Sequence, residues 1–230
     1  MLKLSRINSF YGRSHALQDV SLSVPKGQIT AILGRNGMGK TTLLRTLMGS
    51  LVTSTGAIEL DGVRIEALPT HLRARSGLAY VPQGREIIAD FSVRQNILMG
   101  AFAGRGPQEI PPLALELFPY LAANLHRPGG VLSGGQQQQL ALARALAAHP
   151  KVMLLDEPNE GIQPSVVEEI EAAIARLNRE FGLTMVLVEQ NIDFVRRVAS
   201  HFAMLEKGAV VAFGPIETLT DEVVDQHMTF

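Results

Sequence analysis

Gly34-Arg35-Asn36-Gly37-Met38-Gly39-Lys40-Thr41 sits between a short apolar, β-prone run, Gln28-Ile29-Thr30-Ala31-Ile32-Leu33, and a stretch of helical spacing, Thr41-Thr42-Leu43-Leu44-Arg45-Thr46-Leu47. The pattern is GxxxxGK(S/T) at a strand-to-helix turn. This context separates a phosphate-binding loop from a glycine-rich turn that matches by accident. Glycine lets the backbone turn tightly and bring its N–H groups close to phosphate oxygens, where the positive end of the following helix adds attraction. In such a loop Lys40 reaches the β- and γ-phosphates of a nucleoside triphosphate, and Thr41 ligates Mg²⁺. Gly34, Arg35, Asn36, Gly37, Met38, Gly39, Lys40, Thr41 and Thr42 are the candidate nucleotide-binding residues.

Two further motifs lie downstream. In Leu132-Ser133-Gly134-Gly135-Gln136, Ser133 can cap a helix that begins near Gln136, and the glycines allow close approach of a phosphate. Alone, that would be an ordinary helix cap. Val152-Met153-Leu154-Leu155 reads as a buried parallel strand, with Asp156 and Glu157 at its carboxyl end, where open α/β sheets bind ligands. Asp156 is placed to hold the metal through a water, and Glu157 to polarise the attacking water.

With these motifs in this order, the chain resembles the ATP-binding subunit of an ABC transporter over essentially its whole length. The resemblance implies an α/β fold, a P-loop NTPase domain with a β-rich N-terminal subdomain and an inserted helical lobe, using ATP and Mg²⁺. It implies that Tyr11 stacks on adenine. It also implies that Gln83, in Tyr80-Val81-Pro82-Gln83, senses Mg²⁺ and the attacking water. The metal site would be Thr41, Gln83 and Asp156, and the catalytic group Lys40, Gln83, Glu157 and Gln190. Ser133, Gly134, Gly135 and Gln136 would serve the ATP held by the opposite subunit of a head-to-tail dimer. The implied partners are a second ATPase subunit, the same or a sister chain, two membrane-spanning permease subunits and, indirectly, an extracytoplasmic solute-binding protein. The implied location is the cytoplasmic face of the bacterial inner membrane.

Finer features narrow the resemblance. Tyr80 to Ile87, the run Gln136 to Gln139, Glu160-Gly161-Ile162-Gln163-Pro164 and Val188-Glu189-Gln190-Asn191 are similar to the branched-chain amino-acid uptake subfamily, and within it to the second ATPase of urea importers. Two positions depart from the general family pattern. Gln190 stands where most cassettes have a switch histidine, and Gln163 where they have an aspartate. A soluble cassette acting on nucleic acid or ribosomes and a hydrolysis-dead regulatory cassette are the competing readings. One cassette without long inserted arms speaks against the first, and Lys40 with Glu157 against the second.

Composition agrees with a soluble motor part. The chain has 230 residues, 46% hydrophobic, enough to bury the core of a single α/β domain spanning 1–230. The N-terminus lacks a signal-peptide core, and no run approaches the ~18 apolar residues that span a bilayer, so the expected place is the cytosol. A net charge of -1 gives no electrostatic footprint for nucleic acid. Absent cysteine excludes disulfides and thiolate metal sites.

Strands are expected around Gly56 to Leu60, at Leu78 to Val81 and at Met185 to Val188. A helix is expected over Ser165 to Phe181, with Val166, Ile170, Ile174 and Leu177 on one stripe and Gly182 as its stop. Residues 88–148 read as the inserted helical lobe, broken at Gly104-Arg105-Gly106-Pro107. The glutamine run reads as a solvated helix face. The six histidines lack metal-ligand spacing and read as surface or core packing. Arg85 to Ile88 fall where the family receives the coupling helix of its membrane partner, an ordinary mobile loop being the other reading. Pro215 to Phe230 read as a terminal helix packed on its own domain.

Overall fold

Leu2, Leu4, Ile7 and Ser9 are buried along β1 (Leu2–Tyr11), and Leu17, Val20, Leu22 and Val24 along β2 (Ser14–Val24), each set separated by more exposed residues. That is the period of antiparallel strands with one face on a core. The computed structural model describes residues 1–51, 53–104 and 106–228. After β3 (Ile29–Leu33) come α1 (Lys40–Met48), β4 (Thr53–Leu60), β5 (Val63–Arg64), α2 (Thr70–Ser76) and β6 (Leu78–Val81). The chain then runs through α3 (Val93–Ala103), α4 (Pro112–Leu117), α5 (Pro119–Ala123) and α6 (Gly134–Ala147). It returns to alternating elements with β7 (Val152–Asp156), α7 (Pro164–Arg179), β8 (Thr184–Val188), α8 (Ile192–Val198), β9 (His201–Glu206), β10 (Ala209–Pro215) and α9 (Asp221–Met228).

The strands form a four-stranded sheet, β2-β1-β4-β5, and a six-stranded sheet, β10-β9-β3-β8-β7-β6, in which β10 alone runs antiparallel to its neighbour. The central strands β3, β7 and β8 are buried along their whole length. Their side chains alternate between two cores, which is why they read as continuous apolar runs. Val152, Leu154, Val186 and Val188 meet α1 and the four-stranded sheet. Met153, Leu155, Met185 and Leu187 meet the helices on the other face. Helix α1 is held between the sheets by Leu43, Leu44 and Leu47, each at most 1% exposed. Truncating one to alanine is worth about 2–5 kcal/mol of fold stability.

The strands expected at 78–81, 152–155 and 185–188 are present, β7 and β8 each being one residue longer. The second β stretch begins earlier than expected, at Thr53. Helix α7 ends at Arg179, and Gly182 in left-handed backbone (φ 61°) donates to Asn178 O at 2.9 Å, closing the turn. Its buried stripe is Ile170, Ala173, Ile174 and Leu177, with Val166 only half-buried. The glutamine run is not a solvated face. Gln138 and Gln139 are 3% and 5% exposed, and Gln139 donates to Glu169 at 2.7 Å. The cover is α7: a Cβ on Gly135, one turn before these glutamines, would lie 2.5 Å from Val166, and Glu169 on the same helix takes the Gln139 bond. Arg105, in the expected break, and Thr229 and Phe230 lie outside the described residues. The part of the terminal stretch that is described ends in α9, whose Val223, Val224 and Met228 pack on the core.

Candidate functional site

Strands β3, β8, β7 and β6 are neighbours and run parallel, so all four end on one edge of the sheet. The residues that follow them are Gly34 to Gly39, Glu189-Gln190, Glu157 and Pro82-Gln83. Topology therefore gathers, from distant parts of the sequence, the groups expected to act together. A cavity of about 300 Å³ opens there, lined by Asn36, Gly37, Gly39, Lys40, Thr41, Thr42, Gln83 and Glu157.

Helix α1 starts at this cavity. Its N-cap is Gly39, at φ 105°, a conformation costly for any side chain, and it makes no side-chain capping bond. The first-turn amides of Lys40, Thr41 and Thr42 have no intrahelical acceptor and no acidic side chain in that turn to satisfy them. Such a terminus suits an anion. Lys40 is 5% exposed, and its Nζ donates to Gly34 O at 2.7 Å and Arg35 O at 3.1 Å. It also lies 3.4 Å from Glu157 Oε1.

Glu157 follows β7 in left-handed backbone (φ 46°), its N–H donating to Val188 O at 3.0 Å. Gln190 then bridges the site. Its Nε2 donates to Glu157 Oε1 at 2.8 Å and to Asn36 Oδ1 at 3.0 Å. Beneath it, Glu189 is 5% exposed, and its Oε2 accepts the backbone N–H of Gln190 at 2.9 Å and of Asn191 at 3.3 Å, while Oε1 has no partner. Burial pushes the Glu189 carboxyl above its ordinary range, although the two N–H bonds pull the other way.

Asp156 is fully buried. Thr41 Oγ1 donates to its Oδ1 at 3.1 Å and the Tyr80 hydroxyl to its Oδ2 at 2.9 Å. Burial raises its pKa, opposed by those two hydroxyls. Thr41 and Asp156 bring hard oxygen donors together, the set that Mg²⁺ takes. Burial, and then Asp156, push the Tyr80 phenol upward, so it remains a donor. On α1, Arg45 lies one turn after Thr41, and its charge is favoured first by the Tyr11 hydroxyl and then also by Tyr80.

Gln83 lines the cavity as well, and the remaining candidates lie further out. Gln83 donates to Glu160 Oε2 at 2.6 Å. Tyr11 is 47% exposed at the end of β1 and lies outside the phosphate cavity. Ser133 caps α6 in a reciprocal box with Gln136, at 3.3 and 3.0 Å. None of Ser133, Gly134, Gly135 and Gln136 lines the cavity. Gln163 is the N-cap of α7 without a side-chain bond. The contacts of Tyr80, Glu160, Glu189 and Arg45 are not displayed by the sequence motifs. For Tyr80 a signal existed, because a tyrosine ending one strand can reach an acid ending the next.

A phosphate loop between strand and helix, with an Asp-Glu pair on the same edge of a parallel sheet, defines a P-loop nucleoside triphosphatase. Within that class the chain belongs to the ABC transporter family, which residues 17–160 match. It is an ATPase of that family. It is 39% identical over 213 residues to the high-affinity branched-chain amino acid transport ATP-binding protein BraG of Pseudomonas aeruginosa, covering 92% of this chain and 91% of that one. It is 35% identical over 224 residues to the probable branched-chain amino acid transport ATP-binding protein LivF of Archaeoglobus fulgidus, covering 96% and 94%. The dimeric structure of the bacterial ABC transporter cassette MJ0796 has a TM-score of 0.81 at 27% identity, covering 94% of this chain and 99% of that one. The same cassette in a post-hydrolysis state bound to ADP and Pi gives 0.82, at the same identity and coverage.

Proposed function

We propose that the chain powers uptake of a branched-chain amino acid or urea through two separate membrane-spanning subunits, on the cytoplasmic face of the membrane and supplied by an extracytoplasmic solute-binding protein. The observation that carries the reading is Glu157, held between Lys40 and Gln190 at the mouth of a cavity built on an uncapped helix terminus. Lys40 and the amides of the loop bind the γ-phosphate, Glu157 orients the attacking water, and Gln190 fixes Glu157 against Asn36. Thr41, Asp156 and Gln83 would hold Mg²⁺, and the ion would supply charge neutralisation on the phosphates. Tyr11 stacks on adenine beside Arg45.

The chain acts as one domain, 1–230, whose helical lobe, about 88–148, carries Ser133 to the ATP of a second ATPase subunit in a head-to-tail dimer. Among the described residues no helix is long and apolar enough to cross a membrane, which fits energy supply to separate permease subunits. Arg144, which lines the apolar groove of Ala74, Tyr80, Met99 and Gly100, donates to Arg85 O and Glu86 O at 2.7 Å, and the region of this loop receives the membrane subunit. The names of the two relatives favour the amino acid over urea. The arrangement around Glu157 favours hydrolysis over a regulatory cassette, despite Gln190 and Gln163.

The test is reconstitution with the membrane subunits in proteoliposomes, following ATP turnover and uptake of labelled leucine and urea. Leucine uptake dependent on ATP is the expected result. Urea uptake alone would reassign the solute, and turnover indifferent to the membrane subunits would overturn the transport reading.

A further inference from the structure

Tyr80 occupies a position that the roles above leave unused. In the parallel ladder of β6 and β7 it stands opposite Leu154. Side chains alternate along each strand, so Asp156, two residues beyond Leu154, shares the face of Tyr80 and lies diagonally ahead of it, within reach of an aromatic side chain. The phenol ring packs against the core that holds α1, and also lines the groove beside Met48, Ala74 and Met99. Its direction is therefore set by packing, and its hydroxyl arrives at Asp156 Oδ2 at 2.9 Å. Thr41 meets the other oxygen, Oδ1, at 3.1 Å. A carboxylate held at both oxygens by groups on two different elements cannot turn about its Cβ–Cγ bond without losing one of them. In a site shut off from solvent, no water replaces the lost partner.

We propose that Tyr80 is a positioning residue for metal-dependent nucleotide binding: its hydroxyl anchors one oxygen of Asp156 so that the other stays directed at the Thr41 hydroxyl, where Mg²⁺ is taken up. The anchor reaches Asp156 from β6 itself, so it does not act through Gln83, the residue that follows that strand. The proposal rests on Mg²⁺-nucleotide binding at the phosphate loop, and the parent protein reports on that separately.

Tyr80→Phe keeps the ring and removes only the hydroxyl. The measurement is the affinity of the full chain for a fluorescent ATP analogue across a Mg²⁺ series and in EDTA. The expected result is a half-saturating Mg²⁺ concentration raised about threefold to tenfold, the size of one lost hydrogen bond, with affinity in EDTA equal to the parent's. An unchanged Mg²⁺ dependence overturns the proposal. So does an equal loss with and without Mg²⁺, which marks Tyr80 as a packing residue only. A parent without any Mg²⁺ dependence overturns the site reading itself. Tyr80→Leu, which also removes the ring, should lower the melting temperature further than Tyr80→Phe, which leaves one buried oxygen of Asp156 without its partner.

Discussion

The phosphate loop and the signature motif each end in a helix N-terminus without acidic residues in the first turn, yet the two termini are finished in opposite ways. Helix α1 begins at Gly39 with no side-chain cap, whereas α6 begins at Ser133 with both bonds of a capping box made. An uncapped terminus leaves amides for a phosphate, and here the same chain supplies Lys40, Thr41 and Glu157 around it. A capped terminus is already satisfied, and with Ser133 exposed and Gly134 half-buried it is open, on the proposed reading, to a group brought by another molecule. On that reading the first half-site is assembled within the chain, and the second waits for a partner.

The largest effect should come from removing the charge at the first half-site. Glu157→Gln keeps the shape and the contact with Gln190, but an amide does not polarise water as a carboxylate does. Turnover should fall about 10²- to 10⁴-fold while MgATP still binds, so ATP-bound dimers should accumulate. Light scattering that finds only monomer with nucleotide bound would break the comparison, because the two half-sites would then never meet in the isolated chain.

The signature side is sharpened by two variants. Ser133→Ala should leave the affinity of the monomer for ATP unchanged and lower turnover about 10²- to 10³-fold, as for one lost transition-state donor. Because it also removes a cap worth about 1 kcal/mol, Ser133→Gly is the control, since glycine caps nearly as well and equally lacks the hydroxyl. Equal losses in steady-state turnover assign the effect to the hydroxyl. A glycine variant as fast as the parent would mean that Ser133 only caps α6.

On the phosphate side, Gln190→Ala removes the amide that joins Glu157 to Asn36. A loss of about tenfold to a thousandfold in turnover, with ATP affinity little changed, is expected for a positioning donor. Glutamine exchanges no proton near neutral pH, so the parent should show no histidine-like inflection near ~6.5 in its rate profile. Turnover equal to the parent's would reduce Gln190 to a strand end.

These contrasts follow how much of the molecule is legible in its sequence. The phosphate loop, β7 and the Ser133 cap are local: each is a pattern of a few residues whose chemistry is complete within the segment. The expected groups at one edge also follow, because parallel strands end together. What the sequence does not display is register between elements far apart in the chain. Tyr80 reaches Asp156 only because β6 and β7 pair with Tyr80 opposite Leu154. Glu160 meets Gln83 across a separation of 77 residues. Gln138 and Gln139 resemble a solvated face by composition, and are covered because the glycine at position 135 lets α7 approach α6 on that side.

The smallest expected effect separates stability from function within the phosphate side. Glu189 places a carboxyl in a nearly sealed position, where Oε2 fixes the turn that carries Gln190 and Oε1 bonds to nothing. An acid whose folded pKa is raised costs stability in its charged form. That cost is full above the folded pKa and disappears as pH falls through it toward the unfolded value. In Glu189→Gln the amide oxygen can accept the same two N–H bonds, no charge is buried, and the repulsion from the carboxylates of Glu157 and Glu171 is gone. The variant should melt higher than the parent at pH 8, by about 2–4 °C for each kcal/mol relieved in a domain of this size. Scanning calorimetry from pH 8 downward should show that difference shrinking as the parent takes up its proton. A variant that melts lower at pH 8 would show that the charge of Glu189, not only its oxygen, holds the turn beneath Gln190.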